Sequence, residues 1–228
     1  MTFPDLPARL ASVRKSIAAA QARSGRNQPV TVIAVTKTFG PEAVRAAVGA
    51  GLGAVGENRV QEALEKQDAL PDLVVEWHLI GSLQKNKARR VAGRFALIHS
   101  VDRFDLAAEI DRRTAEGGRQ PVLVQVNCSG EPQKGGVEPG GLAALLDAIR
   151  SCGRVEVRGL MTMAELSDDP ATQRAAFVKL RRLQDEASAH GHFLPELSMG
   201  MSADYAVAVE EGATMVRLGT ILFGGRQA

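Results

Sequence analysis

Short apolar runs rich in β-branched residues alternate along the whole chain with stretches whose apolar residues recur at helical spacing. The first helical stretch is 7–24, with Leu10, Val13 and Ile17 on one stripe and Gly25 just past its end. An apolar run at 30–35 follows, short enough for a buried strand. Pro41 then suits a first helical turn, and Val44, Ala47 and Val48 form an inner face closed by Gly51. The same alternation predicts further strands at 54–55, 76–80, 96–99, 122–126, 157–160, 196–198 and 215–218. Helices are predicted between them at 59–69, 84–93, 103–116, 139–151, 170–190 and 203–211.

Eight strands separated by helices call for a parallel sheet, because parallel neighbours need crossover connections. A doubly wound open sheet and a closed (β/α)8 TIM barrel both meet that requirement. Eight units favour the barrel, although 228 residues is short of the roughly 250 typical of that fold. The additional N-terminal helix is then expected to cap the barrel bottom. No Pro/Gly/Ser-rich linker or low-complexity tract interrupts the pattern, so a single domain over residues 1–228 is expected.

Composition narrows the function classes. Lys and Arg total 28 against 26 Asp and Glu, a balance that argues against nucleic acid or an anionic membrane as a partner chosen by bulk charge. Two cysteines, Cys128 and Cys152, make neither a disulfide framework nor a metal cluster, which suits a reducing, cytoplasmic compartment. The first ten residues hold Pro4, Asp5, Pro7 and Arg9 where a secretory segment needs an apolar run. No stretch reaches the roughly 20 apolar residues of a membrane helix. The basic run Lys85, Lys87, Arg89 and Arg90 lacks interleaved aromatics for base stacking and reads as a solvated helix face. The four histidines show no metal-ligand spacing.

In a parallel barrel, active residues belong just after the strands' C-terminal ends. Lys37 stands there after the first strand, Asn58 after the second, His78 and Ser82 beside the third, and Asn127 after the fifth. Met161-Thr162-Met163 follow the sixth, Ser198–Ser202 the seventh, and Arg217–Thr220 close the eighth. A lysine closing an apolar strand is either a partly desolvated amine, nucleophilic toward a carbonyl, or a strand end reaching solvent. Ser202 reads as the N-cap of the helix at 203–211, with Gly219 and the Thr220 hydroxyl facing it. Together these loops make a phosphate cup, with Asp204 competing for the same positive helix end. Taken singly, they are a cap and a turn. A lysine at one strand end with an anion cup at two others points to a phosphorylated aldehyde. Arg217 needs a buried carboxylate if structural; as a ligand, it suits an unprotonated pyridine nitrogen. Asn58 is either a donor to a ring hydroxyl or a helix cap.

The same residues carry a family resemblance. The blocks Ala34-Val35-Thr36-Lys37-Thr38, Gly56-Glu57-Asn58-Arg59-Val60-Gln61-Glu62 and Trp77-His78-Leu79-Ile80-Gly81-Ser82 are similar to successive motifs of the pyridoxal phosphate homeostasis proteins. So are Gln125-Val126-Asn127, Arg158-Gly159-Leu160-Met161, Leu197-Ser198-Met199-Gly200-Met201-Ser202 and Met215-Val216-Arg217-Leu218-Gly219-Thr220. They run in order from about residue 8 to Arg226. The resemblance implies a barrel like the alanine racemase N-terminal domain, with pyridoxal 5′-phosphate (PLP) held as a Schiff base on Lys37. It also implies phosphate contacts from Ser202, Gly219 and Thr220, the Met201 backbone nearby, and Arg217 at the ring nitrogen. The sequence departs from the family pattern at Arg59, Ser82, Lys85, Cys128-Ser129-Gly130 and Tyr205, none of which is an implied PLP contact.

The function expected from these observations is intracellular PLP homeostasis without catalytic turnover, by a monomer that passes PLP to apoenzymes. Lys134 is either a helper in that transfer or an exposed loop lysine. The alternative is a single-domain amino-acid racemase of weak activity. Racemisation needs a second base across the α-carbon, and the sole tyrosine, Tyr205, falls in the helix after the cup.

Overall fold

Each predicted apolar run is a strand, and each strand pairs in parallel with its neighbours in chain order. In this computed structural model, residues 2–225 are described; Met1 and residues 226–228, including the last position of the family resemblance, lie outside the described residues. The strands are β1 (Thr31–Val35), β2 (Ala54–Glu57), β3 (Glu76–Leu79), β4 (Leu97–Val101), β5 (Gln120–Gln125), β6 (Val155–Met161), β7 (Glu196–Ser198) and β8 (Met215–Leu218). β8 pairs back onto β1, with Ile33 opposite Arg217, and closes the barrel. The open doubly wound sheet is thereby excluded.

The helices are α1 (Leu6–Ser24), α2 (Pro41–Gly49), α3 (Val60–Ala69), α4 (Ala88–Val91), α5 (Phe104–Arg113), α6 (Leu142–Ile149), α7 (Pro170–Ala189), α8 (Tyr205–Glu210) and α9 (Thr220–Phe223). Successive strand residues face opposite sides, so the barrel has two cores. The larger lies between sheet and helices and takes in Val32, Ala34, Val55, Leu79 and Val216. The smaller fills the lumen with Ile33, Ala54, Leu97, Leu123, Met161 and Met215. His78, His99, Ser198 and Arg217 alternate with outward-facing apolar residues and are also buried in the lumen.

Two expectations change, and one helix is new. α1 packs against α8 and α9 in the outer helical layer instead of capping the bottom. Its buried stripe, Leu6 to Ala20, spans most of a helix about 28 Å long, long enough to lie along the barrel wall. α8 starts at Tyr205, two residues later than the pattern suggested, because residues 202–204 form a turn. α9 is a single turn that periodicity cannot register, and it ends at Gly224 with φ 88°. Gly159 is required by packing: a Cβ there would lie 1.8 Å from the Glu196 carbonyl oxygen across the β6–β7 pair. Among the described residues, no helix is long and apolar enough to cross a membrane.

Candidate functional site

At the C-terminal end of the barrel is a cavity of about 300 Å³. Lys37, Asn58, Met201, Ser202, Arg217, Gly219 and Thr220 all line it, together with Val35, Ile80, Met163 and Ala203. Met163 belongs to the run read after the sixth strand; Val35, Ile80 and Ala203 went unread as lining residues because an apolar side chain has no chemical signature. A larger cavity of about 610 Å³ lies at the opposite end, between the second half of α1 and the strand starts, and includes none of the candidates. The mouth cavity is therefore the chemically furnished one.

Lys37 follows β1 by two residues and is half-buried, and its amine has no hydrogen bond or ion pair among the described residues. Its backbone, by contrast, is held on both sides. Thr38, at φ 70°, is the only non-glycine with positive φ among the described residues. For a β-branched residue this conformation is strained by on the order of 1–3 kcal/mol. Its N–H donates to Glu62 Oε1 at 2.5 Å. On the other side of Lys37, the Thr36 carbonyl accepts from Lys66 Nζ at 2.8 Å, and the Thr36 hydroxyl donates to Glu57 Oε1 at 2.5 Å. Lys66 also bridges Glu57 and Glu62 at 2.6 and 2.9 Å. Lys66 is 3% exposed and Glu57 fully buried. Burial pushes the Glu57 carboxyl up, opposed by the Lys66 and Thr36 hydrogen bonds, and its Oε2 has no partner among the described residues. The signal for this clamp was Glu62 and Lys66, four apart on a predicted helix, and it reads equally well as a surface pair. Phe39, Phe3 and Phe223 add an aromatic cluster, with centroids 5.2–5.5 Å apart, that ties the Lys37 loop to α9.

Arg217 is 5% exposed and makes no ion pair among the described residues. One terminal nitrogen donates to the Ser198 carbonyl at 2.8 Å and to its hydroxyl at 2.6 Å; the other donates to the Thr162 carbonyl at 2.9 Å. The structural alternative for Arg217, a bonded buried carboxylate, is absent among the described residues. Desolvation lowers its pKa to about 10, with Asp204 opposing at longer range. A buried cation satisfied only by neutral groups is costly unless an electron-rich partner arrives from the cavity.

His78 lies in the lumen instead of at the mouth, with its Nδ1 2.9 Å from His99 Nε2. Desolvation lowers the His78 pKa from 6.5 to about 4, and burial, His78 and Arg217 push His99 well down too. Both are neutral in the fold. An unfolded histidine takes up a proton below about pH 6.5, so this contribution to stability is complete above 6.5 and is lost as pH falls toward 4. For His78 alone the loss should reach about 3 kcal/mol. Urea denaturation across pH 7 to 4 checks this; a flat unfolding free energy down to pH 5 would contradict it.

The cup differs from expectation in two respects. Ser202 does not cap α8: its hydroxyl accepts from the Ile221 N–H at 3.3 Å and so joins the β7–α8 turn to the start of α9. Met201 N–H is occupied by Asp204 Oδ1 at 2.5 Å, so that amide is not free for an anion, although Met201 lines the cavity. Buried Asp204, whose carboxyl is raised by desolvation, thus shapes the turn. Gly219 has φ −115°, and a Cβ there would meet Val35 no closer than 3.4 Å. Neither backbone nor protein packing demands glycine, which leaves access from the cavity as its use. Asn58 is not a helix cap, since Arg59 holds the position before α3, and its side-chain amide makes no hydrogen bond among the described residues.

Other candidates lie outside the lining. Asn127 donates within its own loop, to the Glu131 carbonyl and to Glu138. Tyr205 is buried in the first turn of α8. Lys134 is half-buried, 3.8 Å from Glu131. Lys85 is exposed and 3.4 Å from Asp105.

The alanine racemase N-terminal domain family model matches residues 9–227. A pyridoxal phosphate homeostasis protein of Aquifex aeolicus is 46% identical over 222 residues, 96% of this chain and 97% of the relative. One from Pseudomonas aeruginosa is 44% identical, over 95% of this chain and 94% of the relative. PipY of Synechococcus elongatus, solved with PLP bound, superimposes with a TM-score of 0.82 at 41% identity, covering 96% of this chain and all of that one. An alanine racemase of Clostridium difficile aligns at 13% identity and a TM-score of 0.75 over 94% of this chain and 60% of its own, a likeness of fold alone. Near-complete coverage at this identity, on a barrel with a lysine at the end of its first strand, establishes that the chain belongs to the pyridoxal phosphate homeostasis family.

Proposed function

We propose that this protein binds PLP in the mouth cavity and holds it covalently through Lys37, serving PLP homeostasis and not turnover of a substrate. The observation that carries this reading is the pairing, across one cavity, of a lysine amine and a buried guanidinium that have no bonded carboxylate among the described residues. The lining fits the group. Lys37 supplies the nucleophile, and Arg217 suits a ring nitrogen that accepts. Asn58 has an open amide for the ring hydroxyl, and Ser202, Gly219 and Thr220 surround the phosphate position beside the start of α9. When bound, PLP supplies an aldehyde carbon that amines attack reversibly. The protein's part is to keep Lys37 poised, exclude competing nucleophiles and hold the ring unprotonated, which weakens it as an electron sink.

A racemase would need a second base opposite Lys37. Tyr205 lies outside the lining, so the observed residues favour a carrier. The reading extends to a single cytoplasmic domain, acting as a monomer and delivering PLP to apoenzymes through exchange with an incoming amine, with Lys134 in the adjoining loop as a candidate aid.

The cup is tested with two aldehydes. Losing a hydrogen bond to a charged group costs about 1.5–3 kcal/mol, so Thr220→Val should weaken PLP binding roughly ten- to a hundredfold. Pyridoxal, lacking phosphate, should bind the wild type far more weakly and barely distinguish it from Thr220→Val. Equal affinity of the wild type for both aldehydes would remove the cup from the proposal. In a crystal structure with PLP, an Arg217 guanidinium beyond hydrogen-bonding distance of the ring nitrogen would remove the argument against carbanion chemistry and reopen the racemase reading.

A further inference from the structure

We infer that Ser198, His99 and His78 form a directional hydrogen-bond column through the barrel lumen that holds Arg217 as a fixed donor to the mouth, with both imidazoles in the Nε2–H form. The column rests on four contacts. Arg217 donates to Ser198 Oγ at 2.6 Å. Ser198 Oγ is 2.9 Å from His99 Nδ1, and His99 Nε2 is 2.9 Å from His78 Nδ1. Among the described residues His78 Nε2 has no hydrogen-bond partner, and Glu76 Oε2 lies 3.8 Å from it. Glu76 is 69% exposed at the far end of the barrel.

The proton order follows from what a guanidinium cannot do. It has donors and no acceptor, so the Ser198 oxygen must accept from it. The Ser198 hydroxyl proton then has one partner within reach, His99 Nδ1. That places the His99 proton on Nε2, where it donates to His78 Nδ1, and the His78 proton on Nε2, pointing toward the Glu76 carboxylate. The reverse order strands both the Ser198 proton and the His78 Nε2 lone pair in the lumen. The forward order leaves one unpartnered N–H, and that one faces a negative charge. Buried polar groups settle in the arrangement that leaves fewest unsatisfied. Neutral imidazoles also suit the neighbouring cation, because a protonated His99 would lie one residue from it in the column. Ser198, His99 and His78 are therefore positioning residues acting through Arg217.

What Arg217 donates to rests on the PLP reading above; the proton order does not. The test accordingly has two arms. In the first, ligand-free protein labelled with 15N-histidine is studied by two-dimensional NMR, with the His78→Gln and His99→Gln variants used to assign the buried rings. Both should show protonated Nε2 and bare Nδ1. A protonated Nδ1 on His99 would overturn the column. In the second arm, PLP is titrated against wild type, Ser198→Ala, His99→Leu and His99→Gln. Ser198→Ala and His99→Leu should weaken binding about tenfold and shift the absorbance band of the bound chromophore. His99→Gln carries a carbonyl for the Ser198 proton and an amide N–H for His78, and should restore much of both. Unchanged affinity and absorbance in Ser198→Ala would refute the positioning role. Failure of the wild type to bind PLP would count against the proposed function, and the NMR arm would still decide the proton order.

Discussion

Lys37→Ala should abolish covalent capture of PLP while leaving a folded barrel. The mouth cavity is lined by one primary amine, and that amine engages no other group among the described residues. Its loss costs the fold little, because a half-buried side chain without partners contributes mainly its packed stem. Borohydride reduction of the PLP-treated wild type followed by peptide mapping should place the pyridoxyl group on the peptide containing Lys37. The variant should give no such peptide and a melting temperature within a few degrees of wild type. A modified Lys134 or Lys66 in the wild type, with Lys37 unmodified, would refute the assignment. Residual PLP binding by Lys37→Ala is expected, since the cup and Arg217 remain.

Lys66→Met should be the most destabilising single change at the site, and it should act on Lys37 without touching the cavity. Removing the ammonium strands the buried Glu57 carboxylate, which already has one unpartnered oxygen, and frees Glu62 and the Thr36 carbonyl. Breaking a buried pair from one side costs about 3–5 kcal/mol. With the clamp gone, Thr38 can leave its strained conformation, and Lys37 should capture PLP more slowly. The double variant Lys66→Met with Glu57→Gln should recover much of the stability, because it removes the uncompensated charge. It should not recover the capture rate, because the Thr36 carbonyl still lacks its donor. Denaturant unfolding and stopped-flow absorbance separate the two effects. A Lys66→Met protein within about 1 kcal/mol of wild type would show that the network does not hold the loop.

The architecture was legible in the sequence because most of the parallel strands are largely buried and centre on short apolar, β-branched stretches separated by helical spacing. Seven mouth residues were legible for a related reason: in this fold the chemistry collects where strands end, so locating Val35, Leu218 and Ser198 also locates Lys37, Thr220 and Ser202. Strand ends alone did not say which way a side chain points. His78 and Asn127 occupy similar positions in the chain, yet one is in the lumen and the other bonds within its own loop. Helix boundaries failed where a cap was inferred from residue type: Ser202 has the chemistry of an N-cap, but its hydroxyl accepts from Ile221 in α9, nineteen residues further on.

The amino-acid pattern by itself determined the repeat of eight strands, the strand-end lysine and the residue types that meet at the barrel mouth, because these depend on local periodicity and side-chain type. Closure of the sheet, the placement of α1 along the wall, the clamp of Lys66 on Glu57 and Glu62, and the column from Glu76 to Arg217 were decided only in three dimensions. Sheet closure, the α1 placement and the column join groups distant in the chain, the clamp adds Thr36, thirty residues from Lys66, to a local pair, and the clamp and column derive their strength from burial, which takes competing water away from the charges and hydrogen bonds it encloses.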